Sequence, residues 1–362
     1  MTPHIHTNVP AIGDKVTVDG KTFTFAEMRS VVDIDRDLPE HDGRWPNESW
    51  FVVANLDSGG QRMGLQVHFL VQRLPGGATD IVQLNVVVVN ESTGVARAAE
   101  YIHPLDQVEI GTDRLNLVTP ELTWTGDRNG YTMSVKADVA QIDITATSSG
   151  PPLLMNGQGQ VRFLGLDEQY DFAFPAMNTS GTVVLDSQPY DVTGISWLDR
   201  QWGGLPDFFA ESLGKSPEAA AAGAGAEPPA SPMNWMWICP QLDNGVNISL
   251  AQLRDMVNQE IFLTLTAVHP DGTHVVAPTM LPVEATNHWT SPVTGRSYPT
   301  RCVVRAPQIG TELIIEVPCK EQEIVSKEPS LTKYEGAATV TGTYQGEPVT
   351  GHAYLELVGD WS

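Results

Sequence analysis

The stretch Thr193-Gly-Ile-Ser-Trp-Leu-Asp-Arg-Gln-Trp-Gly-Gly204 gathers a carboxylate, a guanidinium, a carboxamide and two indoles within twelve residues. If it is a strand, Trp197, Asp199 and Gln201 share one face and Leu198, Arg200 and Trp202 share the other. A carboxyl group enclosed by indole and amide groups is raised in pKa, because burial disfavours its charged form, and such an acid can protonate a substrate near neutral pH. Arg200 would oppose that shift on contact, but adjacent strand residues point apart. The same residues also fit a purely structural role, with Asp199 capping a turn and both tryptophans in a core.

Adding water to an unactivated C=C bond requires a strong acid, a site that tolerates a tertiary cation, and a placed water. Asp199 suits the acid, and Trp197, Trp50 and Trp237 offer π faces. Gln201, Gln252 or Glu48 can hold the water. Ring closure is the rival chemistry: a rigid apolar barrel folds a polyene into one reactive conformer, and Arg200, Gln66, His68 or Trp202 polarises a carbonyl. A noncatalytic carrier of one apolar ligand is the third. Glu48 also fits fastening a strand entrance, and His68 a satisfied core or rim histidine.

Short antiparallel strands must position these groups. Trp50 to Leu56 and Met63 to Leu70 flank the turn residues Asp57-Ser58-Gly59-Gly60, a hairpin signature. In the return strand Met63, Leu65, Val67 and Phe69 point one way and Gln66 and His68 the other. Further strands are predicted at 81–90, 96–102, 115–122, 131–137, 142–147, 159–163, 170–174 and 181–185, preceded by a hairpin at 15–18 and 22–25. The Ala-, Gly- and Pro-rich run at 215–232 has no apolar face and reads as a linker or surface loop. A second β-rich half then opens with Trp235, Trp237 and Cys239 on one face, an Asp243-Asn-Gly245 turn and a return strand at 246–254. Strands follow at 261–268, 274–278, 301–306, 312–317, 337–344 and 350–357. The opening hairpins echo one another, Gln66 against Gln252, as a duplicated barrel would. The reading is all-β, an antiparallel sandwich or barrel, in two halves that span 1–214 and 233–362.

Twenty-one Lys and Arg against 44 Asp and Glu leave a net charge of -23, which repels phosphate backbones, so no nucleic-acid partner is expected. No apolar run reaches the ~18 residues of a membrane span, and the N-terminus lacks a signal-peptide pattern, so a cytoplasmic location is expected. Cys239, Cys302 and Cys319 lack Cys-x-x-Cys spacing, and His103, His288 and His352 lack metal spacing. There is no nucleotide-binding or nucleophile-elbow motif either, so neither metal nor cofactor is expected.

Several segments resemble the carotenoid hydratase and hydroxyneurosporene synthase group of double-lipocalin proteins, to which kievitone hydratase and fungal Diels-Alderases look related. Glu48-Ser49-Trp50-Phe51 stands where that family has Glu-Trp-Trp-Tyr. Thr179-Ser-Gly-Thr182 through Val192-Thr-Gly194 to Trp197-Leu-Asp-Arg-Gln-Trp202 follows its Trp-Met-Asp-His-Glu/Gln segment. Trp237 with Gln241-Leu-Asp-Asn-Gly245, Gln252-Leu-Arg254, the 289–299 segment, Tyr334-Glu-Gly336 and Tyr354-Leu-Glu-Leu357 extend the likeness to the end. Two positions depart: Arg200 replaces the family's His and Ser49 its first Trp. The resemblance implies two lipocalin-like antiparallel β-barrels or half-barrels packed together, with a ligand site in the first barrel and at the junction. It also implies an enzyme of the hydratase, isomerase or cyclase type acting on a small hydrophobic substrate. The expected catalytic residues are then Asp199, Glu48, Arg200 and Gln201; the expected substrate-binding residues are Trp50, Gln66, His68, Trp197, Trp202, Trp237 and Gln252. That proposal requires Asp199 to project into an apolar cavity.

Overall fold

The computed structural model describes residues 4–7, 15–18, 21–24, 30–73, 79–163, 166–204, 233–255, 259–277, 280–327 and 332–361. The expected linker at 215–232 lies outside the described residues. The described residues are built mainly from two large sheets, with a separate two-stranded hairpin, one short α-helix at Ile34–Asp37 and three single-turn 3-10 helices.

The first sheet centres on Asn47–Ser58. On one side it pairs with Gln61–Gln72, then Ile81–Asn90 and Val95–Pro104. On the other it pairs with Gln188–Gly203, then Leu166–Leu185, Ala140–Ser148, Gly130–Lys136, Leu122–Asp127 and Leu115–Val118. The predicted first hairpin is present, and its two-residue turn places Gly59 and Gly60 at φ 60° and 87°, a left-handed pair that glycine adopts without steric cost. The strands predicted at 170–174 and 181–185 are one twenty-residue strand. A bulge between Phe174 and Met177 absorbs Pro175, which cannot donate to a ladder, so the apolar alternation breaks while the strand continues.

In the second sheet Met233–Ile238 sits between Asn247–Asp255 and Glu347–Val358. Glu260–Val268 lies beyond the former, and Lys333–Tyr344, Thr311–Glu316, Ser297–Ala306 and Glu284–Thr290 lie beyond the latter. His4–Thr7 joins this sheet's edge, parallel to Glu260–Val268, and Lys15–Val18 forms its own hairpin with Lys21–Thr24. Both large sheets are otherwise antiparallel, as expected for two barrels or half-barrels.

Three apolar clusters follow from strand alternation. Trp50, Phe69, Trp124, Phe172 and Trp202 fill the inner face of the first sheet, and Leu250, Tyr298, Leu313 and Leu355 that of the second. A third cluster lies between the halves: Phe51, Val53, Val89 and Trp197 meet Trp237, Cys239, Ala337 and Tyr354. The contact is close enough that a Cβ at Gly64 would stand 2.6 Å from both Ala337 Cβ and Val89 Cγ1. The junction is therefore a packed interface, about as dense as a core there.

Candidate active site at the junction

The alternation read from Trp197 to Trp202 holds, and it decides what each residue touches. Asp199 faces the junction with only 2% of its surface exposed. Its Oδ1 accepts from Trp197 Nε1 at 3.4 Å and its Oδ2 from Gln201 Nε2 at 2.6 Å. The neighbouring strand brings Asp171 alongside, because Asp171 pairs with Gln201 while Ala173 pairs with Asp199. Asp171 and Asp199 lie within hydrogen-bond reach, and burial together with that contact raises Asp171 far above the ordinary carboxylate range. Burial also pushes Asp199 up, to about 7, although hydrogen bonds from Gln201, Trp197 and Asp171 work against it. Two buried carboxyls this close do not both ionise at neutral pH without a positive charge beside them, so the resting pair keeps a proton.

The hole beside the pair has a volume of about 20 Å³ and is lined by Asp171, Gln169, Gln201, Trp235, Trp237 and Ala251, among others. That is room for one water, which needs about 10–15 Å³. The expected apolar cavity around Asp199 is thus corrected: tryptophans of both halves close over the acid. The larger void between the halves, about 910 Å³, is lined by Asn55, Ile195 and Gln241. It starts about 13 Å along the strand from Asp199, four residues at roughly 3.3 Å each. Trp197 and Val53 lie between the two.

A second polar cluster lies across the junction. Lys333 Nζ lies 2.9 Å from Glu356 Oε1, 2.7 Å from Glu335 Oε1 and 3.0 Å from His68 Nδ1. Burial pulls the Lys333 ammonium down, but Glu335 and Glu356 more than compensate, so it stays charged. Burial and that ammonium push His68 well below its ordinary range, so the ring is neutral. Lys333 can only donate, so His68 Nδ1 accepts and Nε2–H donates to Ser49 Oγ at 2.8 Å. Ser49 is therefore not deprotonated by His68, and a Ser-His nucleophile is excluded by tautomer. Trp235 Nε1 donates to Glu356 Oε2 at 2.9 Å, linking this cluster to the wall of the small hole. Gln66 also faces the junction, fully buried, with neither carboxamide atom hydrogen-bonded to protein.

The other expected site residues stand elsewhere. Arg200, Glu48, Trp50 and Trp202 face the filled interior of the first sheet. Arg200 pairs with Glu48, donates to the carbonyls of Asp37, Pro39 and Gln201, and stacks 4.0 Å over Trp50 and 5.0 Å over Trp202. Burial pushes Glu48 up, but His41 and Arg200 outweigh it and hold the carboxylate low. Gln252 sits in the second sheet's interior, where its Oε1 accepts from Val283 N at 2.8 Å. Its echo of Gln66 is one of sequence only, since the two residues point to opposite kinds of face. Trp197, Trp237, Gln66 and His68 join Asp199 and Gln201 at the junction. Glu356 lies in the Tyr354-Leu-Glu-Leu357 segment but was given no role there, and Asp171 and Lys333 carry no motif; the available signal for Asp171 was an acid alternating within the apolar run Tyr170-Asp-Phe-Ala-Phe174.

A family model described as AttH-like matches residues 26–360. The chain belongs to the AttH-like family. Among solved structures it is similar to an AttH protein of Nitrosomonas europaea, at 21% identity and a TM-score of 0.75, over 95% of this chain and 99% of that one. It is also similar to kievitone hydratase from Nectria haematococca, at 17% identity and a TM-score of 0.71, over 99% and 97% of the two chains. CghA with Sch210972 matches at 13% identity and a TM-score of 0.55, over 86% and 88%. No curated protein sequence matches significantly. These likenesses carry the double-lipocalin fold to this AttH-like protein. No described helix is long and apolar enough to cross a membrane, and no described cluster of His, Cys, Asp and Glu could hold a metal ion.

Proposed function

We propose that this AttH-like protein is an enzyme that protonates a C=C bond of an apolar, terpenoid-like or polyene compound at the junction and adds or removes water, the compound reaching the acid by displacing the half-buried Gln169, Gln201 and Trp235 from around the water-sized hole. The observation that carries the reading is the proton-sharing pair Asp171–Asp199, buried beside a water-sized hole and walled by Trp197 and Trp237. A positioned general acid contributes roughly 10²–10⁴ in rate. Each desolvated indole face adds about 2 kcal/mol toward a developing cation. The retained carboxylate of the pair favours that cation as well. The likeness to a hydratase supports this chemistry.

Ring closure of a polyene is the second reading, supported by the likeness to the Diels-Alderase CghA. There the shared proton would bond a carbonyl and no water would enter. One experiment separates the two. Incubated with a panel of linear isoprenoids and conjugated polyenes, the enzyme should yield a product differing by one water. The Asp171→Asn/Asp199→Asn double variant should bind the same compound, by tryptophan quenching, without converting it. A product of unchanged mass would favour ring closure, and conversion by the double variant would end the acid reading altogether.

A further inference from the structure

The two carboxyls differ in what surrounds them, and the difference assigns their roles. Both oxygens of Asp199 are engaged, Oδ1 by Trp197 and Oδ2 by Gln201, and Asp171 lies against the same group. Asp171 is 95% buried, since only 5% of its surface is exposed, and its Oδ1 has no hydrogen-bond partner in the protein. Asp171 also lines the 20 Å³ hole, whereas Asp199 does not. Three of the residues that line it, Gln169, Gln201 and Trp235, are half-buried.

The geometry points to Asp171 as the catalytic acid that meets the substrate and its water, with Asp199 as the positioning residue that holds the proton on its neighbour. This rests on the proposed proton-driven reading and goes beyond it, because the motif resemblance points to Asp199. In the hydration direction the alkene π pair takes the proton from Asp171, forming a C–H bond as the carboxyl O–H breaks. A water lone pair then forms the C–O bond, and the water's surplus proton returns to the Asp171 carboxylate. Acid and base are one residue, nothing is oxidised, and the enzyme ends as it began. The charged or titratable groups facing the pair across the junction are Glu356, which Lys333 and Trp235 hold, and the Cys239 thiol.

The first test needs no substrate. Glu335 is a further buried acid that burial pushes well up, so the infrared carboxylic-acid C=O stretch is measured at pH 8 in a Glu335→Gln background. The band is expected to persist in Asp199→Asn and to vanish in Asp171→Asn; any other pattern overturns the assignment. The second test uses turnover of a linear isoprenoid that the wild-type enzyme hydrates. Asp171→Asn should lose at least a thousandfold at every pH. Asp199→Asn should lose ten- to a hundredfold, with its alkaline limb moved to lower pH because the neighbouring charge that raises Asp171 is gone. Asp171→Asn active with Asp199→Asn dead would reverse the roles and leave the acid reading intact, whereas full activity in both would end that reading too. Equal loss in both would overturn the assignment of separate roles.

Discussion

Asp199 and Arg200 are neighbours in sequence, yet they belong to two buried charge clusters that are opposites. On the inner face Arg200, Glu48, His41 and Asp37 satisfy one another: a guanidinium over two indoles, carbonyls for its remaining donors, a carboxylate for its charge. On the outer face Asp171 and Asp199 face each other as like groups, with one oxygen left over. The first arrangement lowers its carboxylates and the second raises them, although burial acts on both in the same direction. Paired opposite charge explains the one and unrelieved desolvation the other. Completed networks hold a fold, whereas an incomplete one stores reactivity.

Breaking the satisfied cluster should have the largest effect on stability. Arg200→Met strands the Glu48 carboxylate and should cost about 3–5 kcal/mol in urea melts, with turnover per folded molecule unchanged. A comparable loss of activity without loss of stability would merge the two clusters into one site. The pH dependence of Tm should separate them next. Asp37 is held at about 2, below its ordinary 3.8, so the stability it supplies is present above 3.8 and is lost as pH falls toward 2. Asp199 is raised from 3.8 to about 7, so its contribution is full below 3.8 and is lost as pH rises toward 7. Asp37→Asn should therefore flatten the acid limb of Tm and Asp199→Asn the neutral limb; flattening of the same limb by both would contradict the contrast.

Smaller still, Asp199→Asn should melt above wild type at pH 8 and level with it at pH 4, because the amide removes only an ionisation penalty. A lower Tm at pH 8 would mean that the carboxylate is better solvated than its surroundings suggest. Ser49→Ala should be smallest, about 1 kcal/mol for the lost His68 hydrogen bond. A hundredfold fall in turnover from that change would instead draw the Lys333 cluster into the chemistry.

Much of this contrast was legible in the residues alone. Period-two alternation from Trp197 to Trp202 separated Asp199 from Arg200, and the same rule placed Gln66 and His68 opposite Met63 to Phe69. What alternation cannot convey is which face meets another sheet, so nothing in the sequence sets Glu48, Arg200, Trp50 and Trp202, which line a filled interior, apart from Asp199 at the junction. The hairpin echo of Gln66 and Gln252 failed for the same reason, since a single step of register moves a side chain through the sheet. Asp171 escaped because its role comes from lateral pairing with the strand of Gln201, a contact far away in sequence. Pro175 disguised one long strand as two.

The small hole at the junction is walled on one side by residues of the first sheet and on the other by Trp235, Trp237 and Ala251 of the second. Neither half encloses it alone. The proton chemistry and the shape that a substrate must fit are therefore written in separate stretches of the gene, and chimaeras that exchange the distal stretch between relatives would recast selectivity while inheriting the same acid.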